Sequence, residues 1–122
     1  MENRAISDAQ ISASSQLDDD HDAPQGRLRL KADGHKSGGW SALRNDFNQW
    51  LQVDLGSDTT VTRVATQGRD GYEQWITKYR LQYSYAGGAF KFYKMRENSS
   101  AKVFLKKKRT FKRFYHQCYC KI

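Results

Sequence analysis

Apolar and polar residues alternate in several short stretches, and nowhere do the apolar ones recur at the spacing of a helix face. The clearest stretch is Asn48-Gln-Trp-Leu-Gln-Val-Asp-Leu-Gly56. Leu51, Val53 and Leu55 fall on one side and Trp50, Gln52 and Asp54 on the other, the pattern of a strand with one apolar face. Gly56-Ser57-Asp58 stops it, and a second β-rich run, Thr59–Gly68, follows at once. So short a connection predicts an antiparallel pair, because a parallel neighbour needs a long crossover. The longest alternating run is Trp75–Ser84. Trp75, Thr77, Tyr79, Leu81 and Tyr83 form its buried side, and Ile76, Lys78, Arg80 and Gln82 the other. Gly87-Gly88 predicts a hairpin that returns through Ala89–Lys94 with Phe90 and Phe92 inward. A shorter strand is expected over Gln10–Ser14, and Arg27–Lys31 alternates briefly before Gly34 and Gly38-Gly39.

Between these runs lie polar loops. Gln16–Pro24 carries four acids and the single proline, with no period of either kind. Arg44–Asn48 is polar apart from Phe47, an exposed candidate. Gln67–Gln74 contains the turn dipeptide Asp70-Gly71. Trp40, beside Gly38-Gly39, is expected to pack on the body of the domain. Several short strands separated by turn signals predict an all-β antiparallel sandwich or barrel.

Composition changes this picture at one place. The 122 residues suit one domain, and 38% hydrophobic content is low but sufficient for a core. The net charge of +8 is not spread over the chain: residues 1–101 hold 13 Lys and Arg against 13 Asp and Glu, while residues 102–122 hold eight Lys and Arg and no acid. The nucleic-acid or anionic-membrane binding that such a balance suggests therefore concerns the stretch Lys106–Lys121, where Lys106-Lys-Lys-Arg109 is interleaved with Phe111, Phe114 and Tyr115. Against that reading stands an accidental basic extension. Both cysteines, Cys118 and Cys120, lie here too. Their spacing disfavours a mutual disulfide, and as a metal signal the pair is weak: His116 would add a third ligand, a structural zinc site wants four and no fourth is nearby, so no specific role is expected of these thiols. No apolar run reaches the roughly 20 residues that span a bilayer. The start, Met1-Glu-Asn-Arg-Ala, is polar and has no secretion signal. No nucleophile–base constellation and no phosphate loop appear, so an enzyme is not expected.

Five motifs then occur in a telling order: Ile6–Ser15, Gly39-Trp-Ser41, Asn48–Gly56, Val61–Arg69 and Gln74–Tyr79. Together they resemble the discoidin domain, also called the coagulation factor V/VIII type C domain, over roughly residues 1–104. Lys102-Val-Phe104 resembles the strand that follows the hairpin in that family. The resemblance implies an antiparallel jelly-roll-like β-barrel or sandwich of the galactose-binding-domain-like type. It implies an extracellular or cell-surface module of adhesion that is not an enzyme, binding protein, glycan or phosphatidylserine membranes through loops at one end. The family's opening and closing cysteines bond to each other; here the first would lie before Met1, and the sequence after Phe104 departs from the family pattern. The expected organisation is thus a discoidin-type domain over 1–104, incomplete at the C-terminus, followed by a basic tail over 105–122 outside the fold. Marginal stability is expected of such a chain.

Carried onto this sequence, the ligand loops are Gln16–Gln25, Arg44–Asn48 and Gly68–Gln74. The candidate contacts are Leu17, His21, Arg44, Phe47, Arg69 and Tyr72, since Arg offers a planar fork of donors and Tyr an amphipathic face. The competing reading has Arg44 and Arg69 pair with Asp46 and Asp70 and simply brace the loops. Asp18, Asp19, Asp20 and Asp22 are the candidate calcium ligands, because hard cations want clustered oxygens; the alternative is a solvated acidic tip, and no other cofactor is expected. Those carboxylates repel anionic lipid, which favours an extracellular protein or glycan partner over a membrane. A carbohydrate-binding module of a glycan-processing enzyme is a further alternative. Asn98-Ser-Ser100 is a glycosylation acceptor pattern, meaningful in a secreted chain.

Overall fold

The structure is a computed structural model that describes residues 5–85, 87–94, 103–105 and 115–116, the last two segments as backbone only. Asn98, Cys118, Cys120 and the run Lys106–Arg109 lie outside the described residues. Strands β1 (Ile11–Ala13), β2 (Leu51–Val53), β3 (Thr62–Arg63), β4 (Lys78–Arg80), β5 (Gln82–Tyr83), β6 (Lys91–Phe92), β7 (Val103–Leu105) and β8 (Tyr115–His116) carry the fold, with 3₁₀ turns at Asp8–Gln10, Asp19–His21 and Ala23–Gly26. The architecture is all-β, as the alternation predicts. No α-helix occurs among the described residues.

The strands pair antiparallel in four couples, β1 with β2, β3 with β8, β4 with β7 and β5 with β6. The expected pairing of Leu51–Leu55 with Thr59–Gly68 is therefore corrected. Asp54 Oδ1 accepts from Gly56 N at 2.7 Å, and Gly56 has φ +73°. This tight turn leads the chain away from β2, whose partner comes instead from residues 11–13. The strand expected over Gln10–Ser14 is present as β1, and the hairpin at Gly87-Gly88 joins β5 to β6. The alternation at Arg27–Lys31 does not become a strand, since Arg29 takes φ 61°. The boundary expected after residue 104 falls inside β7, and Tyr115–His116 of the basic stretch pair with β3.

Among the described residues two small cores result. In the first, Ile11, Ala23 and Leu51 are buried together, with Ile6, Ala13 and Trp40 packed against them; Val53 is buried as well. The apolar side read from Leu51 and Val53 is thus the buried one, and Trp40 packs on the body as expected. In the second, Leu81 is 4% exposed and meets Val64, Tyr79, Tyr83 and Tyr93. Phe90 and Phe92, expected inward, are 36% and 40% exposed. The register explains it: Gln82 stands opposite Phe92 and Tyr83 opposite Lys91, and Tyr93 N donates to Leu81 O at 2.9 Å. Tyr93, not Phe92, therefore shares the face of Leu81, because side chains alternate along each strand.

Candidate functional site

The first and third predicted loops are fastened to one irregular segment, residues 36–43, and the second loop follows that segment directly in sequence. The first loop holds it by backbone bonds: Ser37 N donates to Asp20 O at 3.0 Å, Ser41 N to His21 O at 3.4 Å and Leu17 N to Ser41 O at 2.9 Å. Gly38 N donates to the buried Gln25 Oε1 at 3.3 Å, and Lys36 Nζ reaches Asp22 Oδ2 at 3.1 Å. Because irregular backbone cannot satisfy itself, side chains take the place of a strand partner. On the opposite side, Arg69 of the third loop donates from Nε to Ser37 O at 3.4 Å. Gly38 has φ +64°, and a Cβ there would meet Ala32 N at 2.6 Å and Asp70 Cβ at 3.1 Å. The left-handed backbone and the close approach of the Lys31–Ala32 backbone thus require glycine at this position.

The second loop is tied through Ser14 and Ser15. Ser15 Oγ donates to Gln49 Oε1 at 2.6 Å and accepts from Leu43 N at 3.1 Å. Ser15 O accepts from Trp40 Nε1 at 2.9 Å, so the indole that packs on the first core also fixes the loop base. Asp46 accepts from Asn48 N at 2.8 Å and Gln49 Nε2 at 2.9 Å; these bonds, with the nearby Arg44 charge, hold its carboxyl below the usual range.

Carboxylates also organise the first and third loops. Asp18 caps the turn Asp19–His21, accepting from Asp20 N at 3.0 Å, and lies 2.5 Å from His21 Nδ1. The His21 hydrogen bond, foremost, holds the Asp18 carboxyl below its ordinary value. An ionised carboxylate only accepts, so the imidazole carries its proton on Nδ1. Asp70 is held low chiefly by Lys31 Nζ at 2.8 Å. Arg69 does not pair with its neighbour Asp70. Its guanidinium lies 4.0 Å over the Tyr72 ring and donates to Gln74 Oε1 at 3.0 Å.

Large apolar side chains are exposed among the polar residues of these loops. Phe47 is 97% exposed, and Leu17, Leu43 and Tyr72 are each at least half exposed. Of the residues singled out in the sequence, Leu17, Arg44, Phe47 and Tyr72 are exposed, and Arg69 stacks on the Tyr72 ring. His21 is buried at the base of the first loop and faces Asp18 rather than solvent. Asp18, Asp19, Asp20 and Asp22 do not converge: Asp18 serves the turn and His21, Asp22 meets Lys36, and Asp19 accepts from Gln16 Nε2 at 3.4 Å. Among the described residues no group of three or more His, Cys, Asp or Glu is placed to hold a metal ion. Leu43 was missed by sequence reading, and so was the strap of buried polar residues Gln25 and Ser37. An apolar residue immediately before Arg44-Asn45 was the available signal for the former; hydrophobic periodicity is blind to the latter.

A strand-rich module with a crown of fastened loops and exposed apolar tips has the form of a β-sandwich binding domain. The sequence profile of the F5/8 type C domain matches residues 10–115, and the chain belongs to that family. The fold is shared with solved structures of discoidin II from Dictyostelium discoideum, both the wild-type protein and the recombinant native form. Each is 23% identical with a TM-score of 0.70; the match covers 98% of this chain and 46% of theirs. This chain spans a little under half the length of those relatives. The fold is therefore the discoidin-domain fold, a galactose-binding-like β-sandwich, and domains of this family are ligand-binding modules for carbohydrate, lipid or protein. No helix among the described residues is long and apolar enough to cross a membrane.

Proposed function

We propose that this chain is a non-catalytic extracellular or cell-surface recognition module, with a jelly-roll-like strand order, that binds a protein or glycan through its loop end and supports adhesion. The observation that carries this reading is the fastening of the first and third loops to residues 36–43, which run directly into the second, together with the exposure of Leu17, Leu43, Phe47 and Tyr72. Side chains presented on a pre-ordered surface lose little freedom when they bind. Phe47 and Tyr72 supply apolar and amphipathic faces suited to a sugar ring or a protein pocket. Arg44 supplies directed donors beside them.

A second reading, insertion into phosphatidylserine membranes, is favoured by the exposure of Leu17, Leu43 and Phe47. The exposed carboxylates of Asp18, Asp19 and Asp20 beside Leu17 oppose it, since they repel an anionic surface. A glycan array probed in parallel with co-sedimentation on phosphatidylserine vesicles separates the two. The proposal expects array binding that Phe47→Ser and Tyr72→Ser each weaken about tenfold, on the scale of an interface hot spot, and sedimentation that does not depend on phosphatidylserine. Phosphatidylserine-dependent sedimentation lost in Phe47→Ser would establish the membrane reading instead.

A further inference from the structure

Away from the loop end, the hairpin presents a second exposed surface that the loop-based reading does not use. Lys78, Arg80 and Gln82 alternate along β4 and β5, so they share one side. Gln82 stands opposite Phe92, and the bond from Tyr93 N to Leu81 O carries the same register on, setting Lys94 level with Arg80. Phe90, Phe92 and Lys94 therefore line the same face as Lys78 and Arg80. The Arg80 guanidinium lies 5.3 Å over the Phe92 ring, while Lys78, Arg80 and Lys94 are exposed. No carboxylate among the described residues forms an ion pair with these three cations. Residues 61–94 hold six Lys and Arg against Asp70 and Glu73 alone, whereas residues 1–60 hold ten acids against six bases.

We infer that this face binds a linear anionic polysaccharide bearing sulfate groups. The cations on one strand repeat every second residue, roughly 7 Å apart, which places charges along a chain rather than around a point. The two phenylalanines are exposed on the face, at 36% and 40%, and Arg80 lies over one of them. They form a shallow apolar floor for saccharide rings, with donors beside it for sulfates. Single-stranded nucleic acid needs aromatic faces open for base stacking, and here Phe92 is partly occupied. The run Lys106-Lys-Lys-Arg109 follows Leu105, the register partner of Lys78, directly in sequence; its contribution is separable by mutation.

The test is titration of the full chain with a heparin octasaccharide at several salt concentrations, beside a single-stranded oligonucleotide of matched charge. Lys78→Gln/Arg80→Gln is expected to weaken octasaccharide binding about tenfold and to reduce the slope of log K against log salt by about two, one per cation removed. Lys94→Gln, a single exposed change, is expected to lower the slope by about one. The oligonucleotide is expected to bind at least about tenfold more weakly than the octasaccharide. Binding unchanged in all these variants and lost only when Lys106–Arg109 are replaced by serine would overturn the proposal. So would equal affinity for the oligonucleotide, or no octasaccharide binding at low salt. Octasaccharide binding lost in Phe47→Ser but kept in Lys78→Gln/Arg80→Gln would place it at the loop end and overturn the proposal, whereas loss of other array glycans alone in Phe47→Ser bears only on the loop-end reading.

Discussion

Residues 5–56 and residues 62–94 are built on different principles. In the first region, 3₁₀ turns and open loops are held by side chains that replace missing backbone partners. Arg27 is the extreme case: it is buried, pairs with Asp8, and donates from Nη2 to Ile6 O at 2.7 Å. Gln25 and Ser37 are buried and hydrogen-bonded in the same way. In the second region, regular alternation does the work, and Leu81 is the one buried apolar residue among those described. Order without secondary structure thus demands many specific polar contacts, each expensive to lose, whereas a strand hairpin needs a few apolar ones.

That contrast can be broken most sharply at Leu81. Leu81→Ala should cost about 3 kcal/mol by removing the centre of the second core, read as a fall in the denaturant midpoint. Loss of the tertiary signal of Trp40 in that variant under native conditions would show that the two regions are not separable in this way. Next come the polar fasteners. Arg27→Ala should cost about 2 kcal/mol, since the buried guanidinium is lost and the part-buried Ile6 carbonyl and Asp8 lose a charged donor. Gly38→Ala should cost about 2 kcal/mol, combining a left-handed backbone with a clash against Ala32 N. If either variant proves as stable as the wild type in urea melts, the strap does not hold the loops.

Acid should separate the regions too. Asp18, Asp33, Asp46 and Asp70 all belong to the loop system, and hydrogen bonds to their ionised forms hold each carboxyl below the ordinary 3.8. Depressed folded values mean that their stabilisation is complete above the unfolded value and lost as pH falls through the lower, folded one. Loop-end order should therefore weaken below about pH 4 while the hairpin, which has no such carboxylate, persists. Proton resonances of Trp40 and Tyr83 followed from pH 6 to pH 2 would reveal it, and simultaneous loss of both signals would contradict it. The smallest effect is expected at Phe47. Fully in solvent, Phe47→Ser should change stability by no more than about 0.5 kcal/mol while weakening ligand binding. A large destabilisation would mean that the tip is structural.

The same division decides what the sequence reveals. Leu51 and Val53 declared their face because apolar alternation is a direct image of burial, and Gly87-Gly88 declared a hairpin. The hairpin's inner face was misread at Phe90 and Phe92 because parity depends on the turn's register, which a single residue inverts. The partners of β2 and β3 were not legible, since pairing across dozens of residues leaves no local pattern. At the loop end, Phe47 and Tyr72 stood out as aromatic residues in polar loops. The strap around Gly38 did not, because Gln25, Arg27 and Ser37 look like surface residues until their partners are known. Family resemblance located the loops, and the hydrogen bonds explain why they hold together.

The central claim is that the three loops form one fastened surface. Hydrogen exchange by mass spectrometry on the full chain at neutral pH tests it most directly, because Leu17, Ser37, Gly38 and Ser41 donate their amides across loops. Peptides spanning residues 36–43 should exchange much more slowly than those spanning residues 56–60, which no strand covers. Equal, fast exchange in both would contradict a pre-ordered loop end.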